Sequence, residues 1–271
     1  MIQIKSDSEL AVMREAGLIV AAALAAAREA VAPGVSTHDL DQVAEKVIRD
    51  AGAIPSFVGY HGFPATLCTS INNEIVHGIP SRERVLKDGD LVSIDCGAIV
   101  GGFHGDSAIT VPVGEITPEQ QALLDVTEES MWRGFAAATL GGRVSDISHA
   151  VESYIRSVPH PTGGEWGIVE EYVGHGIGTE LHQDPQVKNV GRPGRGPRIE
   201  RGLALAVEPM VNLGTRFTQQ LADGWTVVTA DGSLSAHFEH TFTVTPDGPW
   251  VLTAEDGGKS RLAPLLAAAA S

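Results

Sequence analysis

Cysteine, basic residues and long apolar stretches are all scarce in this sequence. Its two cysteines, Cys68 and Cys96, are too few for a disulfide framework, so we expect reduced thiols in the cytoplasm. Only 19 Lys and Arg stand against 34 Asp and Glu, a net charge of −15, so we expect no nucleic-acid specificity. The longest helix-like apolar stretch, residues 16–27, is shorter than the about 20 residues that span a bilayer, so no membrane association is expected.

Several familiar catalytic and targeting motifs are also missing. The first ten residues contain no basic region followed by an apolar stretch, so no signal peptide is expected. No HExxH helix and no GxSxG nucleophile turn occur, which argues against a zincin and an α/β-hydrolase. The GGKS at residues 257–260 lacks the first glycine of a phosphate-binding loop, because position 253 is Thr.

The order of helical and β-like segments repeats along the chain. Capping signals at Ser6, Thr37 and Thr117 predict helices that end near Ala32, Ala51 and Leu140, and a further helix spans residues 145–157. Each pair of helices is followed by β-like runs, which lie at residues 91–100, 104–113, 168–174, 203–213, 225–230 and 237–245. The first two of these runs predict a hairpin. Residues 1–252 are thus predicted to form a single domain, and residues 253–271 a peripheral tail.

The spacing of acidic residues and histidines indicates that the two halves are related. Each half has a His-Gly-Ile triplet, then an acidic residue six positions after a glycine, then an acidic residue four positions before a threonine. The matching sets are His77, Asp95 and Asp106 in the first half and His175, Glu208 and Glu239 in the second. We therefore predict two similar half-domains with four carboxylates at the boundary between them.

Asp95 and Glu208 each lie within an apolar run, where an unpaired carboxylate is costly. Three explanations compete: an ion pair with Lys or Arg, a protonated acid used in acid–base catalysis, and metal ligation. Neither run contains a basic residue, which disfavours the ion pair. Four carboxylates cannot all remain ionised in one pocket without cations, and together with His175 they suit Mn²⁺, Co²⁺, Fe²⁺, Zn²⁺ or Mg²⁺. A pair of such ions is a common device for hydrolysis.

Histidines in glycine-rich segments likewise have both a structural and a functional explanation. His77, His175 and His182 adjoin the predicted strands and are the candidates for chemistry, although a lone histidine is more often a hydrogen-bonded structural residue. Four others flank the same segments and are treated by default as structural or supporting residues: His61, His104, His237 and His240.

Five segments together resemble type I methionine aminopeptidase in its short bacterial form: SINNEIVHGIP, LVSIDCGAIVGGFHGDSAIT, GHGIGTELHQDP, LAVEPM and SLSAHFEHT. The resemblance covers roughly residues 6–252. It implies the pita-bread fold of the α/β (α+β) class, in which two pseudo-symmetric half-domains share a central antiparallel sheet covered by helices. It also implies removal of the initiator methionine from nascent polypeptide N-termini when the second residue is small.

The resemblance assigns roles to individual residues. It implies a dinuclear centre of Co, Mn, Fe(II), Zn or Ni, whose ligands are Asp95, Asp106, His175, Glu208 and Glu239, with Asp106 and Glu239 bridging both ions. The metal-bridging hydroxide would attack the first peptide carbonyl. His77 and His182 would contact the substrate amide and carbonyl, and Glu208 would carry a proton to the leaving amine.

The resemblance also implies a methionine pocket lined by Phe57, Tyr60, Phe63, Cys68, Leu181 and Trp225, although aromatic residues are usually just core. Phe57 and Leu181 depart from the commonest bacterial pattern, in which Cys and an aromatic residue occupy these positions. Asn72 and Ser235 match a peripheral monovalent-cation site found in some members.

Two alternatives stay open at this point. One is a Xaa-Pro aminopeptidase or prolidase with the same fold and ligands, which usually carries a separate N-terminal domain. The other is a non-catalytic binding protein on this fold, which is disfavoured because every predicted ligand is present. The family further implies a monomer that makes a transient ribosome contact.

Overall fold

A computed structural model describes residues 2–269 of the chain. Within that range it contains five α-helices and one short 3₁₀ turn at Tyr60–Gly62. The helices are α1 (Asp7–Ala30), α2 (Thr37–Asp50), α3 (Pro118–Ala137), α4 (Val144–Ser157) and α5 (Lys259–Ala269).

Side-chain caps begin the first three helices. Ser6 forms a capping box with Glu9 at the start of α1, and Thr117 caps α3 as predicted. The cap of α2 lies one residue earlier than predicted, because Ser36 accepts from the backbone of Asp39 while Thr37 is already helical. Sequence spacing alone did not distinguish these two adjacent hydroxyl residues.

Fifteen strands occur within residues 2–269. They are β1 (Ile54–Pro55), β2 (Leu67–Ile71), β3 (Glu74–Val76), β4 (Leu91–Val100), β5 (Phe103–Pro112), β6 (Gly167–Ile168), β7 (Gly174–Gly176), β8 (Gln183–Val187), β9 (Ala204–Val207), β10 (Met210–Asn212), β11 (Thr218–Gln220), β12 (Val227–Thr229), β13 (Ser235–His237), β14 (Glu239–Thr245) and β15 (Gly248–Val251).

Nine of these strands form one antiparallel sheet in the order β1-β4-β5-β14-β9-β7-β8, with β2 also pairing with β4 and β15 with β14. The predicted hairpin is confirmed as β4 and β5, which pair along ten residues. The strands β5 and β14 join the two halves of the chain at the middle of the sheet. Two three-stranded sheets, β13-β10-β6 and β11-β12-β3, complete the fold.

Helix α1 packs closely against β4 and β5. A side chain at Gly17 would overlap the carbonyl oxygen of Leu252, so α1 can lie this close to the backbone at Leu252 only because residue 17 is glycine. By length and composition, α1 alone among the helices of residues 2–269 is apolar enough to cross a membrane. However, 44% of its most apolar window is buried in the protein, and the core helix of a soluble protein passes the same test.

Three of the predicted β-like runs are interrupted. The run at 237–245 is broken at Phe238, between the end of β13 and the start of β14. The run at 203–213 is split by Glu208 and Pro209 into β9 and β10, because Pro209 has no N–H to donate. In the run at 168–174 only the two ends are strands.

The predicted tail contains α5, whose Leu262 is 3% exposed and packs in the core beside α3. Residues 1, 270 and 271, at the two ends of the predicted domain and tail, lie outside the described residues, and the boundary at residue 252 stays a prediction.

Candidate metal centre and substrate pocket

Strand register brings three of the predicted carboxylates to one face of the large sheet. Asp95 in β4 and Glu239 in β14 are paired with the same residue of β5, Ala108, from opposite sides. Asp106 lies two residues before Ala108, and side chains two apart on a strand project to the same face. All three carboxylates line one cavity at the boundary between the two halves.

The other two predicted ligands come from the second half. His175 in β7 is paired with Ala206 of β9, and Glu208 lies two residues beyond Ala206, where β9 ends at Pro209. Both side chains line the same cavity as the three carboxylates. The structure therefore brings together all five predicted ligands.

Distances within the cluster define two tight groups. Ligand atoms of Asp106, His175 and Glu239 all lie within 4.8 Å of one another, and so do those of Glu208, His237 and Glu239. The His175 Nε2 atom is 3.4 Å from a Glu208 oxygen, 3.8 Å from Asp106 and 3.9 Å from Glu239. Glu239 belongs to both groups.

Burial and mutual repulsion disfavour the charged forms of these acids. Burial raises the pKa of Asp95 to about 7, although a hydrogen bond with Asp106 acts in the opposite direction. Burial, and then the neighbouring carboxylates, raise the pKa of Asp106, Glu208 and Glu239 well above the ordinary range. Burial lowers the pKa of His175 to about 3, so the imidazole is neutral and able to donate a lone pair to a metal.

Several buried polar atoms of the cluster have no hydrogen-bond partner among residues 2–269. These atoms are Asp95 Oδ1, Asp106 Oδ1, Glu239 Oε1 and both ring nitrogens of His237. Buried polar groups are almost always paired, so such a concentration requires an explanation. Oxygen-rich ligands with one or two imidazoles suit divalent transition metals, and the residues present fit a metal centre.

Two further histidines lie in the same cavity. His77 has a left-handed backbone, with φ of 63°, which is a strained conformation for a non-glycine residue and is frequent at functional sites. The Nδ1 atom of His182 forms a 2.6 Å hydrogen bond with the hydroxyl of Tyr60. The ring of His182 stands 4.3 Å from that of His175. Both histidines predicted to contact substrate therefore face the carboxylate cluster.

An apolar pocket adjoins the carboxylates within the same cavity of 280 Å³. The structure brings together all six residues predicted for it: Phe57, Tyr60, Phe63, Cys68, Leu181 and Trp225. This volume, which the pocket shares with the carboxylate cluster, lies just below the range for small-ligand sites, about 300–1,000 Å³. The pocket is therefore suited to one apolar side chain of moderate size.

Some residues of the cavity were missed by the sequence reasoning. His237 was treated as supporting, yet its Nε2 atom is 3.8 Å from Glu208. Its spacing of two residues from Glu239 was the available signal. Tyr172 also lines the cavity, with its ring 5.7 Å from that of His77, and no sequence motif indicated it.

Asn72 and Ser235 are also brought together, since the Ser235 amide donates to the Asn72 carbonyl at 2.9 Å. The monovalent-cation site stays a prediction.

Side-chain hydroxyls hold the two central strands together beside the ligands. The hydroxyl of Thr241 donates to the Asp106 carbonyl and accepts from the Asp106 amide, at 2.8 and 3.1 Å. The hydroxyl of Ser107 donates to the Glu239 carbonyl at 2.6 Å. The residue positions of Asp106 and Glu239 are thus fixed relative to each other across the boundary between the halves.

Comparison with known proteins gives consistent similarities. The model of metallopeptidase family M24 matches residues 11–246. Methionine aminopeptidase 1 of Mycobacterium tuberculosis is 54% identical over 249 residues, which are 92% of this chain and 94% of that protein. The methionine aminopeptidase of Clostridium acetobutylicum is 51% identical over 253 residues, 93% and 99% of the two chains. The crystal structure of the Thermotoga maritima methionine aminopeptidase has a TM-score of 0.90 at 41% identity, covering 94% of this chain and 100% of that one. The predicted resemblance and pita-bread fold are confirmed.

Proposed function

This chain belongs to metallopeptidase family M24, and from that premise we propose that it removes the N-terminal methionine from newly made polypeptides. The observation that carries the proposal is a single cavity that joins a methionine-sized apolar pocket to a cluster of carboxylates and imidazoles. The same cavity thus offers a place for the side chain and for the bond to be cleaved.

The carboxylates and His175 are proposed to hold two divalent metal ions, of Co, Mn, Fe(II), Zn or Ni. The carboxylates that would hold them are those of Asp95, Asp106, Glu208 and Glu239. When bound, the ions supply Lewis acidity toward the scissile carbonyl and make water acidic enough to attack at neutral pH. The unpaired oxygens of Asp95, Asp106 and Glu239 support this assignment.

The histidines are proposed to act on the substrate. When Tyr60 donates its hydroxyl proton to Nδ1 of His182, the imidazole carries its own proton on Nε2 and can donate it to the peptide carbonyl oxygen. Such a donor stabilises negative charge that develops on the oxygen during attack. His77 would contact the substrate amide, and Glu208 would carry a proton to the leaving amine.

The pocket is proposed to select methionine and the cavity to restrict the residue that follows. Phe57 and Leu181 are 7% and 2% exposed, and in this proposal they limit how deeply the methionine side chain can enter the pocket. We expect rapid cleavage when the second residue is Gly or Ala and slow cleavage when it is bulky. Equal rates for bulky and small second residues would contradict this specificity.

The first experiment is methionine release from a Met-Gly-Met peptide. We expect wild-type activity to disappear with chelator and return with Co²⁺ or Mn²⁺, and Asp106→Asn to lose about 10³-fold in kcat because a carboxylate that would hold the metal is lost. Asp125→Asn is a matched control, since Asp125 lies on α3 outside the cavity. Failure of the wild-type protein with every metal would contradict the proposal.

A parallel assay with Met-Ala and Ala-Pro peptides tests the Xaa-Pro alternative directly. Release of alanine from Ala-Pro without release of methionine from Met-Ala would replace the proposed function with that of a Xaa-Pro aminopeptidase. We further propose that the enzyme works as a cytoplasmic monomer that contacts the ribosome transiently.

A further inference from the structure

The buried histidine His237 makes no hydrogen bond through its ring. The residue is 1% exposed, and neither ring nitrogen has a hydrogen-bond partner among residues 2–269. Buried polar groups are almost always paired, because an unpaired one costs free energy. The His237 ring lines the cavity that contains the predicted metal ligands. A partner for this ring must therefore come from what the cavity binds.

Strand register directs the His237 ring toward two carboxylates. β14 pairs with β9 and β13 pairs with β10 in one continuous register, which places Glu239 opposite Glu208. His237 lies two residues before Glu239, and side chains two apart along a strand project to the same face. Ligand atoms of His237, Glu208 and Glu239 accordingly lie within 4.8 Å of one another.

The backbone of His237 is held in the same way as that of a predicted ligand. The hydroxyl of Thr110 donates to the His237 carbonyl at 2.7 Å and accepts from the His237 amide at 2.9 Å. Thr241 makes the same two hydrogen bonds with Asp106, at 2.8 and 3.1 Å. The fold thus fixes the position of His237 at the carboxylate cluster although its ring contributes no hydrogen bond to the fold.

We propose that His237 is a sixth metal ligand, which holds a divalent ion together with Glu208 and Glu239. This inference rests on the proposed metal centre and adds a second imidazole to it. The Nε2 atom of His237 is 3.8 Å from a Glu208 oxygen, which is too far for a hydrogen bond. Two ligand atoms that each lie about 2.1 Å from one ion are at most about 4.2 Å apart, so the separation suits a shared ion.

Two other roles for His237 fit its surroundings less well. A structural histidine would pair its ring with the fold, and this ring has no such partner within residues 2–269. A residue that contacts the peptide needs accessible surface, and an exposure of 1% leaves almost none. A metal ion requires only the lone pair of one ring nitrogen.

His237 is expected to be a weaker ligand than His175. The Nδ1 atom of His175 lies 3.0 Å from the Gly176 carbonyl oxygen, a contact that orients the ring of a metal-binding histidine. The Nδ1 atom of His237 has no partner of this kind within the described chain. Loss of His237 should therefore weaken metal binding less than loss of His175 does.

The test is a Co²⁺ titration of the full-length, chelator-treated protein without peptide, followed by visible absorption and proton NMR. Each imidazole bound to Co²⁺ gives one strongly shifted ring N–H signal, so the wild type should give two, from His175 and His237. His237→Gln should lose one signal and bind one of the ions about 10- to 100-fold more weakly. His175→Gln should lose the other signal and weaken binding further.

The matched control is His77→Asn, which removes another histidine of the same cavity. Asn tolerates the left-handed backbone at this position, and His77 belongs to neither tight ligand group. The control should therefore keep both shifted signals and the wild-type affinity for Co²⁺.

The outcomes separate this inference from the proposed metal centre. If the wild type binds Co²⁺ and His237→Gln keeps both signals and full affinity, His237 is not a ligand and the centre still stands. A wild type that binds no Co²⁺ would contradict the centre and this inference together. Should His237→Gln fail to fold, the wild-type spectrum still decides, because two shifted signals support the sixth ligand and a single one overturns it.

Discussion

The hydrogen bond between Tyr60 and His182 permits a sharp test of how the cavity acts on substrate. Tyr60→Phe removes the hydroxyl that lies 2.6 Å from Nδ1 of His182 and leaves the ring in the pocket. A hydrogen bond of this kind contributes about 0.5–1.5 kcal/mol, which corresponds to about a 2- to 12-fold effect on rate. Because the pair is exposed to solvent, the lower part of this range applies. We expect kcat/KM for Met-Gly-Met to fall about 2- to 5-fold.

The assay is a double-mutant cycle with His182→Ala, which alone should reduce kcat/KM by about 10²-fold. If Tyr60 acts by orienting His182, Tyr60→Phe should have no further effect once the imidazole is absent. Tyr172→Phe is the control, because Tyr172 lines the same cavity and its hydroxyl makes no hydrogen bond within residues 2–269. An equal loss from Tyr60→Phe with and without His182, or an equal loss from Tyr172→Phe, would refute the reasoning.

Three further predictions concern stability and specificity. In chelator, Asp95→Asn should gain unfolding free energy relative to wild type as pH rises from about 4 to about 7. The reason is that the buried Asp95 carboxyl, with its raised pKa, favours the folded state only while it is protonated. Urea titration at both pH values measures the difference in unfolding free energy between the two proteins, and a difference that stays constant would contradict the prediction. Gly17→Ala should cost about 1–3 kcal/mol in the same assay, since its side chain would overlap Leu252, whereas Ala22→Ser on the exposed side of α1 should change little. Leu181→Ala should reduce kcat/KM for Met-Gly-Met about tenfold and favour bulkier first residues, and an unaltered preference would remove Leu181 from the pocket wall.

Most of what could be predicted about the site from the sequence came from the repeated spacing of acidic residues and histidines. It predicted that Asp95 and Asp106 would meet Glu208 and Glu239, because two similar half-domains that face each other bring equivalent positions to the boundary between them. It did not indicate Tyr172, because that residue enters the cavity from the irregular segment between β6 and β7. Contacts of this kind depend on tertiary packing, which local patterns do not encode.

Helix starts were predicted better than strand ends. The capping box of Ser6 is a local interaction and is visible in four consecutive residues. By contrast, the apolar run that contains Glu208 was predicted as one β-like run, although Pro209, which has no N–H to donate, divides it into β9 and β10. Likewise α5 was predicted as a peripheral tail, since its alanine-rich sequence does not reveal that Leu262 packs into the core beside α3.

The placement of the site at the boundary between the halves has a consequence for the enzyme's own synthesis. Asp95 and Asp106 are translated early, but Glu239, which belongs to both tight ligand groups, follows Asp106 by 133 residues. A fragment that ends before Glu239 has no partner for the hydroxyl of Ser107 and cannot assemble either group. Nascent or truncated copies that lack Glu239 should therefore be inert toward peptides, and activity should appear only after β14 has been made and folded against β5.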